Sequence, residues 1–183
     1  GFCQKRRFWL QEKKNKNKIL KKTPKIWNNY EAIICSKISL GKPKLSKLIK
    51  RGWKNVISSP NILSSKRKYS IELHFDLFHG YGNLIKAIEL MHKKDREEFK
   101  KYVKNKNYFN PHIMFIAKPR IVNLWFKDLF SWLLKCEKVF GFKKLKGYDT
   151  TRLYAYLAER YLSFWFKKYT KYLEWPYITK EYK

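Results

Sequence analysis

Ile113-Met114-Phe115-Ile116-Ala117 is a run of five apolar residues closed in between Pro111 and Pro119, and it constrains the chain more than any other stretch. A strand covered on both faces needs such a run, because every side chain must find a dry partner. With His112 at its head, residues 112–117 are expected to form a buried, central strand. From Pro119 the period changes. Val122, Trp125, Phe126, Leu129, Trp132, Leu133 and Cys136 recur at helical spacing, with Asn123, Lys127, Asp128, Ser131, Lys135 and Lys138 on the other side. Pro119 suits a first helical turn and Gly141 follows the end, so one long helix packs on that strand.

A short basic turn leads to a second helix opened by Gly147-Tyr148-Asp149-Thr150, with Asp149 expected as its N-cap. Leu153, Tyr154, Leu157, Tyr161, Leu162 and Trp165 give it a wide apolar surface. Arg152, Ala155, Glu159 and Ser163 line up at spacings of three and four as a narrow polar stripe. Such a stripe faces water or a wet cleft, or else forms an internal salt-bridge lattice. Asp149, Arg152, Glu159 and Arg160 are the cleft candidates.

Upstream, residues 1–4 read as the end of a strand, and Lys5-Arg6-Arg7-Phe8-Trp9 as a turn leaving it. Two adjacent arginines there are well placed for an anionic ligand, since open α/β sheets bind at the carboxyl ends of strands. Residues 11–25 form a loop rich in lysine and asparagine, and residues 30–35 a second strand. A short helix is expected over 45–53, without an assignable role. Residues 84–91 and 95–103 read as helices, the second exposing Asp95, Arg96, Glu97 and Glu98. Trp175-Pro176-Tyr177-Ile178 reads as a short edge strand, where proline is tolerated.

His74, Asp76 and His79 share one segment, but their spacings do not give the i, i+4 pair that a metal site prefers. No Asp-x-Asp motif occurs, so the sequence supports no divalent metal and no cofactor is evident. His79 precedes Gly80-Tyr81-Gly82-Asn83, whose glycines permit close backbone approach to an acceptor or phosphate, or a simple turn.

The chain has 183 residues, 44% of them hydrophobic and 18% aromatic, which excludes a disordered tail and is expected to fold as one domain. No apolar run approaches the roughly 20 residues that span a bilayer. The expectation is a cytoplasmic protein, soluble or peripheral to the inner face of the membrane. Cys3, Cys35 and Cys136 lack CxxC spacing and read as buried reduced thiols. A chain opening at Gly1-Phe2-Cys3 reads as part of a longer protein whose first strands lie upstream.

The formal charge is +29, with 20 Lys/Arg against 2 Asp/Glu in residues 1–70 and 23 against 12 in the remainder. Dense positive charge invites a nucleic-acid partner. Yet 35 of the 43 basic residues are lysine and 8 are arginine. An AT-rich genome gives that usage, whereas bidentate phosphate and base contacts favour arginine.

Three blocks together resemble a bacterial domain found in capsular and exopolysaccharide glycosyltransferases (domain of unknown function 4422). Gly1 through Trp9 resembles its "IGLCHYRRYF" segment. Met114-Phe115-Ile116 with Lys118 and the helix through Glu137 resembles its "NMFIMKK...LFELEKR" block, and Arg152 with Ala158-Glu159-Arg160-Tyr161-Leu162 through Trp165 its "R..GF.SERLL..W" helix. Gln4 stands where the family often has histidine, and Ile113 where it often has asparagine. The resemblance covers nearly the whole chain in order and spacing. It implies an α/β fold: a partial GT-A-like sheet with packed helices, its N-terminal strands missing. It also implies a nucleotide-sugar donor bound at the carboxyl ends of the sheet and a glycan or lipid-linked acceptor.

On that resemblance, positive side chains meet the donor diphosphate: Arg6 and Arg7 first, with Gln4, Arg152 and Arg160 beside them. The base that takes the acceptor proton is one of Asp149, Glu159 and His79. Two other readings compete: a basic nucleic-acid-binding structural protein of ribosomal type, and a catalytically inert remnant.

Overall fold

A computed structural model describes residues 2, 6–13, 18–41, 53–58, 60, 69–143, 145 and 148–180, leaving aside the side chains of 54, 55, 58, 148 and 149. The fold is mixed α/β. The strands are β1 (Arg7–Trp9), β2 (Ala32–Cys35), β3 (Ile38–Ser39), β4 (Tyr108–Phe109), β5 (Phe115–Ala117), β6 (Tyr172–Trp175) and β7 (Tyr177–Thr179). The α-helices are α1 (Trp53–Ser58), α2 (Ile71–His79), α3 (Asn83–Glu89), α4 (Lys93–Asn105), α5 (Pro119–Phe140), α6 (Tyr148–Thr151) and α7 (Leu153–Tyr169). Among the described residues no helix is long and apolar enough to cross a membrane.

The chain divides into two compact units: Gly1–Ile38, Asn110–Asp128 and Glu159–Lys183 in the first, Ser39–Phe109 and Leu129–Ala158 in the second. In the first unit a three-stranded sheet runs β5-β2-β6. β2 pairs antiparallel with β5 (Ile33 opposite Ile116) and parallel with β6 (Cys35 opposite Trp175). All four residues of β2 are buried.

The expected central strand is therefore corrected: the middle of this sheet is β2. Residues 112–114 stay outside β5, because His112 takes a left-handed backbone (φ 65°) that breaks the extended run. Phe2 bridges the outer side of β5, its N–H 2.7 Å from Phe115 O.

Two further expectations are corrected. Arg7–Trp9, read as a turn, is β1, paired antiparallel with β7. Trp175, read as part of an edge strand, ends β6, and Pro176, which has no amide hydrogen, separates it from β7. The basic loop is partly tied: Gln11 Oε1 accepts from Lys21 N and Lys22 N at 2.8 and 3.0 Å, and Leu10 bridges Ile19.

Aromatic packing holds the unit together. Trp125 of α5 lies 5.4 Å from both Tyr161 and Trp165 of α7, and Phe115 lies 4.9 Å from Phe166. Trp125, Trp165, Tyr161 and Phe166 are all buried, and each such ring buries roughly 150–250 Å². On the other face of the sheet, Trp9, Trp27 and Trp175 meet edge to face with Ile33, Cys35 and Met114.

The second unit is mostly helical. Ser70 caps α2 by accepting from Leu73 N at 3.3 Å. Trp132 of α5 packs edge-on against Phe99 of α4, and its Nε1–H donates to Ala87 O of α3 at 2.7 Å. Glu97 and Glu98 are exposed as expected, but Asp95 is buried near the start of α4. Asp149, expected as the cap of the long helix, lies inside the separate four-residue α6; α7 begins at Leu153. Of the helix expected over 45–53, all but Trp53, the first residue of α1, lies outside the described residues.

Candidate functional site

β2 and β6 are parallel, so their carboxyl ends, Cys35 and Trp175, lie together. Residues 110–112 are tied to that end. Asn110 Nδ2–H donates to Cys35 O at 2.6 Å, Cys35 Sγ–H donates to Pro111 O at 2.6 Å, and Asn110 N–H donates to Ser163 Oγ at 2.7 Å. His112 follows, and its left-handed backbone aims its N–H at Glu159 Oε1. A non-glycine residue adopts this conformation only when its surroundings over-determine it.

Arg7 reaches the same imidazole from β1. Its Nε–H donates to His112 Nε2 at 3.1 Å. That nitrogen must therefore be the unprotonated one, which puts the ring proton on Nδ1, 3.9 Å from Glu159 Oε1. Burial is the largest effect holding the His112 pKa below its ordinary value; Arg7 pushes the same way and Glu159 opposes them. The ring of Tyr177 stands edge-on, 5.3 Å from His112. Glu159 Oε2 accepts from Nη1 of Arg160, which is 2% exposed. Burial pushes the Cys35 thiol up to about 12, so it is no nucleophile.

The electrostatic outcome is asymmetric. Arg160 faces a carboxylate directly, whereas Arg7 faces a neutral imidazole. Among the described residues the two Nη groups of Arg7 have no hydrogen-bond partner. Arg6 is exposed, its backbone also left-handed (φ 67°) and tied through its carbonyl to Lys180 N at 3.0 Å. The arrangement brings the Arg7 guanidinium and the Glu159 carboxylate to one histidine, His112.

Arg6, Arg7, Glu159 and Arg160 thus belong to the first unit, and Gln4 lies outside the described residues. His79, Asp149 and Arg152 belong to the second. His79 is buried and stacks on Tyr156 at 3.8 Å, while the exposed Arg152 guanidinium lies 5.5 Å from the same ring. In the glycine turn after His79, Gly82 N–H is already spent on Asp76 Oδ1 at 3.0 Å, and Asn83 Nδ2–H on His79 O at 3.0 Å. Of the expected polar stripe, Arg152 lies just before α7 and is exposed, as is Ala155 on it, whereas Glu159 and buried Ser163 join an internal lattice with Arg160, Asn110 and His112.

Sequence reasoning placed His112 only at the head of a strand. Its one signal was a polar residue opening an apolar run directly after a proline. Among the described residues no group of three or more His, Cys, Asp or Glu is arranged to hold a metal ion.

Neither a search of curated proteins nor one of solved structures gives a match. One protein family matches residues 1–171, all three of the sequence blocks described above included. The chain belongs to that family, Domain of unknown function (DUF4422).

Proposed function

We propose that the chain is a glycosyltransferase domain. It takes a sugar from a nucleotide-sugar donor and passes it to a glycan or lipid-linked acceptor in the synthesis of capsule, exopolysaccharide or a related surface glycan. The observation that carries this reading is the Arg7–His112 pair at the carboxyl end of β2 and β6: a guanidinium held in place by a neutral partner, with exposed Arg6 beside it. Fixed positive groups aimed at a leaving diphosphate stabilise charge as it develops, and cost no reorganisation when it does.

In this scheme the bond from the anomeric carbon to the donor diphosphate breaks, and the acceptor oxygen bonds to that carbon. Arg6 and Arg7 receive the diphosphate charge. Glu159 takes the acceptor proton: His112 N–H and Arg160 use one lone pair on each oxygen, and a carboxylate has about four. Arg160, buried against Glu159, positions it. A GT-A-like sheet and a place at the inner face of an anionic membrane, favoured by the charge of +29, belong to the same reading.

Titration of the purified protein with UDP and GDP, followed by a nucleotide-sugar panel with mass detection of glycan products, tests it. Binding is expected to weaken at least tenfold, about 1.4 kcal/mol, in Arg6→Ala/Arg7→Ala. Undiminished binding in that variant removes the arginine roles, and neither binding nor transfer with any donor overturns the reading.

A further inference from the structure

The opposite end of the same sheet carries a hollow. Its volume is about 290 Å³, at the small end of the roughly 300–1,000 Å³ usual for small-molecule sites. It sits where β2 begins and β5 ends, and Thr23, Trp27, Asn28, Tyr30, Glu31 and Lys118 are among the residues lining it. All of these belong to the first unit. The arginine–histidine cluster lies at the other end of β2, so this hollow is a separate place.

The wall is rigid by construction. Pro24 opens a turn of 3-10 helix, Lys25–Asn29, closed by Trp27 N–H on Pro24 O and Tyr30 N–H on Trp27 O, both at 3.0 Å. Trp9 and Trp175 meet the Trp27 indole edge to face at 6.1 and 5.3 Å and fix its plane. Trp27 is 5% exposed, and among the described residues its Nε1–H has no hydrogen-bond partner. That nitrogen is closed off inside the tryptophan cluster, so Trp27 serves the hollow as a fixed backing to its wall.

Glu31 is held from two sides: Oε1 accepts from Arg120 Nη2 at 2.8 Å and Oε2 from Lys171 N at 3.0 Å. The hydrogen bond from Lys171 N is the largest effect keeping the Glu31 pKa below the usual carboxylate value, with Arg120 and Lys118 adding to it. A carboxylate so fixed beside an aromatic wall accepts hydrogen bonds from hydroxyl groups. Asn28 and Thr23 add neutral donors and acceptors. Apolar ring faces bordered by amide, hydroxyl and carboxylate groups suit a ligand that is apolar on its C–H faces and polar around its rim.

We infer that this hollow is a binding site for one neutral pyranose ring of a glycan, distinct from the diphosphate site. The half-buried Tyr30 ring takes a C–H face, with buried Trp27 behind the wall, and Thr23, Asn28 and Glu31 take its hydroxyls. The inference does not require the nucleotide-sugar reading, because the two sites share no residue.

Saturation-transfer NMR with cellobiose, lactose and N,N′-diacetylchitobiose tests it, with AMP as the charged comparison. Ring C–H protons of at least one disaccharide are expected to receive saturation in excess UDP as well as without it. Affinity is expected to fall at least fivefold in Asn28→Ala and Tyr30→Ala. The Trp27 indole N–H resonance, assigned by its loss in Trp27→Phe, is expected to move on saccharide addition to the unaltered protein, a readout that survives a misfolded variant. The inference is overturned if none of the three disaccharides receives saturation, if the Trp27 resonance does not move, if AMP or UDP displaces the saccharide, or if folded Asn28→Ala and Tyr30→Ala bind as the parent does.

Discussion

His112 concentrates backbone cost and hydrogen bonding in one residue. Its left-handed backbone costs on the order of 1–3 kcal/mol, offset by the bonds it makes possible to Glu159 and Arg7. Burial favours the neutral ring, so the folded pKa lies below the ordinary 6.5 of the unfolded chain. The unfolded chain then binds a proton that the folded chain refuses. The stabilisation is fully present above pH 6.5 and is lost as pH falls below it towards the folded value. Urea midpoints measured about one pH unit above and below 6.5 should show a larger acid loss for the parent than for His112→Gln. Equal losses would mean that His112 takes up its proton as readily in the fold as in the unfolded chain, so that burial does not hold its pKa down.

At the scale of elements, the two glycines of the turn between α2 and α3 differ in the room around them. A Cβ on Gly80 would lie 2.2 Å from Asn83 Nδ2, which is already committed to His79 O, and the backbone there has φ 100°. Gly82 has φ 72° with nothing within 4 Å of its Cβ position, so alanine there meets backbone strain alone. Gly80→Ala should destabilise by about 2–4 kcal/mol and Gly82→Ala by about 1–2 kcal/mol in chemical denaturation. Adding Asn83→Ala should narrow the gap; equal losses in the two single variants would discount the clash.

Local chemistry of this kind explains what the sequence made legible. The face of α5 was readable because Trp125, Leu129, Trp132 and Cys136 repeat at helical spacing and are all buried. The middle strand was misplaced because apolar runs in β2 and β5 look alike, and pairing order is set by contacts far apart in sequence. Glu159 was visible as a polar stripe residue. Its link to His112 was not, since it depends on a backbone dihedral that no side-chain pattern encodes.

For the whole molecule the charge of +29 is the property in search of an explanation. A ribosomal role would use it for many phosphate contacts. Lysine-rich surface serves that role poorly, because an ammonium is a strongly hydrated point charge, whereas a guanidinium grips two oxygens at once. Only 8 of the 43 cations are arginines, and one of them, Arg160, is buried and committed to Glu159. Screening shortens the reach of exposed charges to about 8 Å at physiological salt. The protein should therefore hold single-stranded RNA at low salt and release it by about 0.2 M, where each phosphate contact contributes roughly 0.7 to the log–log slope. Under the proposed sugar-transfer role, nucleotide diphosphate bound at Arg6 and Arg7 should persist to higher salt, because few counterions are released with it. Filter binding at increasing salt decides between them: RNA affinity that stays tight at about 0.2 M with a slope of several units would move the charge from background to function and favour the nucleic-acid role over sugar transfer.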